Sequence, residues 1–238
     1  MQRLATGRKI NSGKDDPAGL ISSEQLAMEI KALEAETRAL YRVNANANIN
    51  EGHASQLSSM YQDLHTLVLA GSNQAGMSDA EIAANQMQID NTVASIGRFT
   101  ENATASLGGM NLPNGGNAGV EAMYNSAYAA AASVRSGGAN DLSSGNFDAA
   151  LTGLEGAIGS IATSRGTVGA YQKDVLEPQI RSDQIAIENL TESHSRIVDT
   201  DYAVETSLLA RAQILVKAGV MNLKIANQQA ATVLQLLS

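Results

Sequence analysis

No proline occurs between Pro17 and Pro113, and across that interval apolar residues return at spacings of three and four. Such spacing places apolar side chains on one face of an α-helix, and the absence of proline leaves the backbone hydrogen bonds uninterrupted. The stripe is formed by Leu26, Ile30, Leu33, Leu40, Leu57, Met60, Leu64 and Leu67. The pattern predicts one helix from Ala18 to about Ala70, loosened near the asparagine-rich stretch 44–50.

Glycine-rich connections punctuate the region that follows. A turn is predicted over 71–78, and the next helix is predicted to end near Ala105. The stretch 108–119 holds five of the 21 glycines and predicts a loop with a small hairpin. A short alanine-rich helix over 121–134 and a second loop over 136–145 complete this region.

A single helix is predicted from Phe147 to Val198, because its apolar residues keep a seven-residue repeat. The repeat consists of Leu151, Leu154, Ile158, Ile161, Val168 and Val175, with Arg165 and Gln172 in its remaining seam positions. A kink or irregular turn is expected at Pro178, since proline disrupts a helix interior. Beyond it the stripe continues in shifted phase through Ile180, Ile187, Leu190 and Ile197.

The first half of this helix also contains Gly153, Gly156, Gly159, Gly166 and Gly169. Each helical glycine costs about 1 kcal/mol relative to alanine. A helix that tolerates five of them is expected to be held by neighbours that approach its backbone closely.

The sequence Asp199-Thr200-Asp201 predicts a break, after which a last helix runs from Tyr202 to the end. Its seam is formed by Val216, Val220, Leu223, Asn227, Ala230, Leu234 and Leu237. A single asparagine on an apolar seam fixes register and partner choice at some cost in stability. Residues 207–238 carry three basic residues and no acidic one, and this helix is expected to need a partner.

Composition excludes several classes of function. The 238 residues include no cysteine and no tryptophan, and 16 basic residues stand against 24 acidic ones, for a net charge of −8. The chain therefore offers no thiolate and no cysteine-ligated metal, and wrapping of nucleic acid is not expected. No apolar run is long enough to span a membrane. His53, His65 and His194 lack ligand spacing, so we expect no metal, no cofactor and no enzyme activity. These observations predict a mainly α protein, an elongated bundle of long coiled-coil-like helices with a short variable loop or hairpin insert.

Both ends of the chain resemble one known family. Residues 2–21 read QRLATGRKINSGKDDPAGLI and closely resemble the amino-terminal segment of bacterial flagellins. Residues 195–238 resemble the flagellin carboxyl-terminal region, in the run SRIVDTDYAVE, then AQIL, ANQ and a terminal VLQLL. The resemblance implies a structural subunit that self-assembles into the extracellular flagellar filament for swimming motility.

The family pattern implies four parts in this chain. They are N-terminal connector and rod helices over 1–107, a short variable surface insert over 108–145, a C-terminal rod helix over 146–199 and a C-terminal inner-core helix over 200–238. Flagellins carry a further inner-core helix before the QRL motif, on which this sequence begins. Without that helix, the last helix is expected to lack its coiled-coil partner, so that this form polymerises poorly and its tail is mobile or self-associates.

The resemblance also implies partners besides further copies of the chain. A dedicated export chaperone of the flagellar type III route binds the C-terminal helix in this family, and cap and junction proteins contact the filament. The residues expected to serve assembly and chaperone binding are Leu208, Leu215, Val216, Val220, Leu223, Asn227, Leu234 and Leu237.

Host immune receptors are a further implied partner. A plant leucine-rich-repeat receptor kinase senses the segment that here contains Gln2, Arg3, Leu4, Lys14, Asp15, Asp16 and Gly19. Gly13 and Pro17 stand where alanine is usual, which is expected to alter potency. An animal Toll-like receptor senses a rod segment that has arginines at the positions of Asp63 and His65, whereas Leu67 is retained. Stimulation of the animal receptor is therefore expected to be weak or absent.

Three other interpretations compete with a filament subunit. The hook–filament junction protein has similar ends, but the motif NSGKDDPAG and the ANQ motif near the carboxyl end favour the filament subunit. An amphipathic membrane-surface module would need a polar face rich in Lys and Arg, which the last helix lacks. An enzymatic site in the variable insert is disfavoured by the insert's small size.

Overall fold

The computed structural model of the chain describes residues 2–74, 76–106 and 116–236. Its elements are α1 Gln2–Thr6, α2 Pro17–Ser72, α3 Asp79–Ser106, α4 Gly116–Ser133, α5 Phe147–Tyr171, a π-helical turn Gln172–Leu176, α6 Glu177–Val198 and α7 Tyr202–Leu236. Within the described ranges there is no strand beyond a single antiparallel bridge, so the predicted mainly α class is confirmed.

Helix α2 spans 56 residues without a break, which confirms one long helix and shows no loosening at 44–50. The chain divides into two compact units. The first comprises Met1–Glu34 with Gln184–Ser238, and the second comprises Ala35–Asp183.

The second unit holds the larger core. Helix α4 packs against both α3 and α5, and the apolar stripes of these helices and of α2 are buried together. The largest fully buried side chains include Leu57, Tyr61, Leu64, Ile89, Ile96, Tyr124, Leu154 and Ile161. The Tyr61 hydroxyl donates a hydrogen bond to the carbonyl of Ala127, and burial raises the pKa of this phenol well above its usual range. Leu57 and Leu64 of the predicted stripe on α2 thus lie in the core of this unit, and Met60 packs against it.

Polar pairs fix the antiparallel register of α2 against α5 in the second unit. The Arg165 guanidinium donates to Glu51 Oε1 from Nη2 at 2.6 Å and from Nε at 2.9 Å. One heptad later, Gln172 Nε2 donates to Asn44 Oδ1 at 2.8 Å and to Asn48 Oδ1 at 2.9 Å. The prediction that Arg165 and Gln172 occupy the seam is confirmed.

The seam changes phase at the π-helical turn Gln172–Leu176. Val175, which the repeat places on the seam, is 45% exposed, whereas Leu176 beside it is 1% exposed. The placement of Val175 was wrong because a π turn accommodates one additional residue and rotates the following helix. The irregular turn expected at Pro178 therefore lies just before it, where a wider turn relieves the clash of its ring with the carbonyl four residues earlier.

The five glycines of α5 do not serve close approach within this chain. No described atom lies within 4 Å of a Cβ built on Gly153, Gly156, Gly159, Gly166 or Gly169. All five are exposed, so the expected close approach by a neighbouring segment was wrong for the described part of the chain.

The predicted variable insert contributes to the core. Val120, Met123 and Ala127 of α4 are all buried, because this short helix fills the space between α3 and α5. Residues 107–115, where most of the predicted loop and its hairpin fall, lie outside the described residues. The four-part division of the chain remains a prediction.

The loop over 136–145 is present and is anchored to the connection between α2 and α3. The Leu142 side chain is 3% exposed, and a Cβ built on Gly71 would lie 2.6 Å from its Cδ2 atom. Gln74 Nε2 donates to the Leu142 carbonyl at 3.0 Å, and the Leu142 amide donates to Gln86 Oε1 at 3.0 Å. A glycine at position 71 is thus required by the depth to which Leu142 is buried.

Candidate assembly site

In the first unit, the N-terminal segment is paired with the break between α6 and α7. The Lys9 amide donates to the Val198 carbonyl at 2.6 Å, and the Thr200 amide donates to the Gly7 carbonyl at 2.9 Å. Ile10, the next residue, is 6% exposed. The two ends of the chain that carry the family resemblance therefore meet in one place, which we call the clasp (residues 7–9 with 198–200).

Two further contacts flank the clasp. Asp201 Oδ1 accepts hydrogen bonds from the amides of Ala203 at 2.9 Å and Val204 at 3.2 Å, and so caps the N-terminus of α7. Arg3 Nη1 lies 3.9 Å from Glu205 Oε2, which joins α1 to the first turns of α7. The predicted break at 199–201 is confirmed, and its residues are held in place by α1 and the chain that follows it.

A tight turn between the clasp and α2 is built by two carboxylates. Asp15 Oδ2 accepts hydrogen bonds from the amides of Asn11 and Ser12, each at 3.0 Å, and these bonds lower the pKa of Asp15 below its usual value. Asp16 Oδ1 accepts the amide of Gly19 at 2.9 Å, which caps α2 at its first residue, Pro17. A Cβ on Gly19 would lie 2.5 Å from Asp16 Oδ2, so a larger residue would disturb this cap.

The other residues predicted for plant-receptor binding fall around this turn. Lys14 and Gln2 are exposed, whereas Arg3 and Leu4 are half-buried in α1. The segment thus presents Lys14 to solvent while both neighbouring carboxylates are engaged by backbone amides.

Helix α7 presents two apolar faces to solvent. Val216, Val220 and Leu223 of the predicted seam are 62–67% exposed. Ile214, Met221 and Ile225 are 53–68% exposed and lie on the opposite side of the helix, at 3.6 residues per turn. A helix with apolar residues on two sides is expected to be covered on both, yet both faces of α7 are exposed in a single copy.

The other described residues of α7 that were predicted to serve assembly are exposed to solvent as well. Leu208 is 48% and Leu215 66% exposed, and Asn227 of the seam is exposed as well. Leu234 and Leu237 lie outside the described side chains. The sequence analysis found one apolar face and missed the second, which the spacing of Ile214, Met221 and Ile225 by seven and four could have indicated.

The rod segment predicted for animal-receptor binding lies on α2 in the second unit. Asp63 is exposed, and Leu67 is half-buried against the core. His65 is half-buried, with its Nε2 atom 3.6 Å from Glu155 Oε1 on α5. All three lie in the second unit, whereas the clasp belongs to the first.

The described residues contain no group of three or more His, Cys, Asp or Glu side chains placed to hold a metal ion. Among the described helices, none is both long and apolar enough to cross a membrane.

Comparison with known proteins assigns both halves of the chain to one pair of family models. Residues 1–118 match the bacterial flagellin N-terminal helical region. Residues 151–237 match the bacterial flagellin C-terminal helical region. The two matches lie in the order that the resemblance of the chain ends predicts.

Curated relatives match along the whole chain. A flagellar filament 33 kDa core protein of Treponema phagedenis is 31% identical over 100% of this chain and 91% of its own length. A flagellin of Halalkalibacterium halodurans is 28% identical over 100% of this chain and 90% of its own length. A flagellin of Bacillus subtilis is 29% identical, with 100% and 91% covered.

Proposed function

The chain belongs to the bacterial flagellin family and is a structural subunit of the flagellar filament; we propose that α7 is the surface through which its copies join. The observation that carries this proposal is the exposure of two opposite apolar faces on one helix. Similarity to filament core proteins does not favour the hook–filament junction protein, nor does it favour a membrane-surface module.

Two opposite faces require two different partners, because one neighbouring helix can cover only one side. Full burial of an aliphatic side chain of this size stabilises an interface by about 1.5–3 kcal/mol. The α7 seam contributes Val216, Val220 and Leu223, and the opposite face contributes Ile214, Met221 and Ile225. Contacts between unlike surfaces that do not close a ring generate a helical filament, which is the form of assembly that this arrangement supports.

A charge placed on either face tests the proposal. Val220→Asp and Met221→Asp are each expected to lower the incorporation of labelled subunits into filament seeds of the same protein, since both would bury an unpaired carboxylate. Asn222→Asp adds the same charge between the faces and is the matched control. Equal incorporation of all three variants and the parent chain would contradict the proposal.

Further partners follow from the same helix and from family membership. The filament is extracellular, and we propose that the chain reaches it by the flagellar type III export route, with an export chaperone bound to α7 before assembly. Exposed apolar residues along one helix suit binding in a partner's groove. Loss of chaperone binding by Val220→Asp, measured by titration calorimetry, is the expected result, and unchanged binding would contradict it. Filament cap and junction proteins are proposed as partners at the filament ends.

Host recognition is proposed for the segment around Lys14. Its exposure makes it available to a plant receptor, whereas Asp15 is engaged by amides in the folded chain. A peptide of residues 2–23 is expected to activate plant cells more strongly than its Lys14→Ala variant. Asp63 and His65 replace the arginines of the family's rod motif, so weak or no activation of an animal reporter cell is expected, and potent activation would contradict this.

A further inference from the structure

The joint between α6 and α7 contains neither proline nor glycine. Its residues are Asp199, Thr200 and Asp201, which impose no fixed backbone angle of their own. The direction in which α7 leaves the joint must therefore be set by contacts. Two contacts are local, since Ser195 Oγ donates to Asp199 Oδ2 at 2.6 Å and Asp201 caps α7. The contacts from a distant part of the described chain come from the N-terminal segment.

Gly7 is the residue on which this segment turns. Its φ angle is +69°, and its amide donates to the Arg3 carbonyl at 2.9 Å, which ends α1. A Cβ at this position would lie 3.0 Å from the Tyr202 hydroxyl oxygen. Any other residue at position 7 would therefore be strained and would press against the first residue of α7.

The same short stretch of chain is tied to both sides of the joint. The Gly7 carbonyl accepts the Thr200 amide at 2.9 Å, and the Lys9 amide donates to Val198, the last residue of α6, at 2.6 Å. Tyr202 is 54% exposed, and its hydroxyl oxygen is the atom nearest to a Cβ built on Gly7. Changes at Gly7 thus act directly on the start of α7.

We propose that Gly7 and Tyr202 are positioning residues for filament assembly, which set the direction of α7 through the clasp. The inference rests on the proposed role of α7 as the assembly surface. Neither residue needs to contact a second copy. Their contribution is to hold the two apolar faces of α7 where neighbouring copies can cover them.

The experiment uses the absence of cysteine from the chain. Cysteines introduced at the exposed positions Glu188 and Arg211 carry spin labels on α6 and α7, and electron–electron double resonance measures the distribution of distances between them. The parent chain is expected to give one narrow distribution. Gly7→Ala is expected to broaden or shift it, whereas the matched control Gly145→Ala is expected to leave it unchanged, because Gly145 has a φ of +70° in the second unit and no atom within 4 Å of an added Cβ.

A second pair of variants separates crowding from backbone strain. Tyr202→Phe removes the hydroxyl that a Cβ on residue 7 would meet, and by itself is expected to keep the distribution narrow. Combined with Gly7→Ala, it is expected to restore part of the narrow distribution, because the crowding is relieved and only the φ strain remains. Circular dichroism confirms that each variant keeps its helix content. If Gly7→Ala gives the same distance distribution as the parent chain, the proposal that the clasp sets the direction of α7 is overturned.

Seed extension distinguishes this inference from the function on which it rests. Gly7→Ala is expected to lower the rate of incorporation into seeds at least about fivefold relative to Gly145→Ala, since strain of this kind costs about 1–2 kcal/mol. A changed distance distribution with unchanged incorporation would overturn the consequence for assembly. Unchanged distances together with lost incorporation in Val220→Asp would overturn the clasp while leaving the role of α7 intact.

Discussion

The second unit and helix α7 carry the same kind of apolar stripe, but the stripe is buried in the second unit and exposed on α7. In the second unit, Leu57, Leu64 and Leu154 are fully buried against one another's helices. On α7, Val220 and Leu223 are more than 60% exposed, although they follow the same spacing. The comparison teaches that spacing identifies an apolar face but does not say whether the same chain or another copy covers it.

The largest expected effect is on the free energy of unfolding, and it distinguishes a stripe buried within the chain from one left exposed on α7. Leu57→Ala is expected to lower the free energy of unfolding by about 2–5 kcal/mol, because it leaves a cavity in a closed core. Leu223→Ala removes the same atoms from an exposed face and is expected to change unfolding by less than about 0.5 kcal/mol while slowing assembly. Urea unfolding measures the first quantity and seed extension the second. Equal destabilisation by both variants would contradict the claim that Leu223 is exposed in the single chain whereas Leu57 is part of its core.

The next effect compares two glycines of α2. A Cβ on Gly71 would lie 2.6 Å from Leu142, whereas a Cβ on Gly52 would meet nothing within 4 Å. Gly71→Ala is therefore expected to destabilise the chain by about 1–3 kcal/mol through overpacking. Gly52→Ala is expected to stabilise it by up to about 1 kcal/mol, because alanine favours a helix. If thermal unfolding shows the same sign for both, the buried contact of Leu142 is not the cause.

A smaller effect is expected at the polar seam between α2 and α5. The side chains of Arg165 and Glu51 are 37% and 39% exposed, so solvent screens their attraction. A double-mutant cycle with Arg165→Met and Glu51→Gln is expected to give a coupling of about 0.2–1 kcal/mol that weakens with added salt. A coupling above about 2 kcal/mol, or one independent of salt, would show that the pair is less exposed to solvent than the structure has it.

The smallest effect is a pH dependence in the turn before α2. Hydrogen bonds from the Asn11 and Ser12 amides lower the pKa of Asp15 in the folded chain. A lowered pKa contributes stability that is present above the unfolded value of about 3.9 and is lost as the pH falls through the folded value. Asp15→Asn is expected to reduce this loss below about pH 4. Nuclear magnetic resonance titration of the Ser12 amide checks it, and an Asp15 pKa at or above the ordinary value would contradict it.

The sequence predicted the long helices well because their apolar stripes are long and because glycine, proline or, at 199–201, two aspartates mark the breaks between them. It placed Arg165 and Gln172 on the seam correctly, since a heptad position does not depend on residue type. It misplaced Val175, because no residue in 172–176 shows that a π turn will add one position to the repeat. The family resemblance implied a surface insert over 108–145, but Val120, Met123 and Ala127 of α4 are buried in the core of the second unit.

In the candidate assembly site, too, local features follow from the sequence and long-range pairing does not. The caps formed by Asp16 and Asp201 are local, because each carboxylate accepts amides only two or three residues further along the chain. The clasp was not predicted, because pairing of residues 7–9 with 198–200 joins segments about as far apart as the chain permits. Long-range pairing of this kind has no local signature, since each partner is an ordinary irregular segment on its own.

The accessibility of two neighbouring side chains on α7 tests the central claim most directly. Val220→Cys and Met221→Cys each introduce one thiol into a chain without cysteine, one on each of the two apolar faces of α7. Reaction with a water-soluble maleimide is predicted to be fast for both in the unassembled chain and strongly slowed for both in the filament. Reaction of either thiol at the same rate in both states would contradict the claim that neighbouring copies cover both faces of α7.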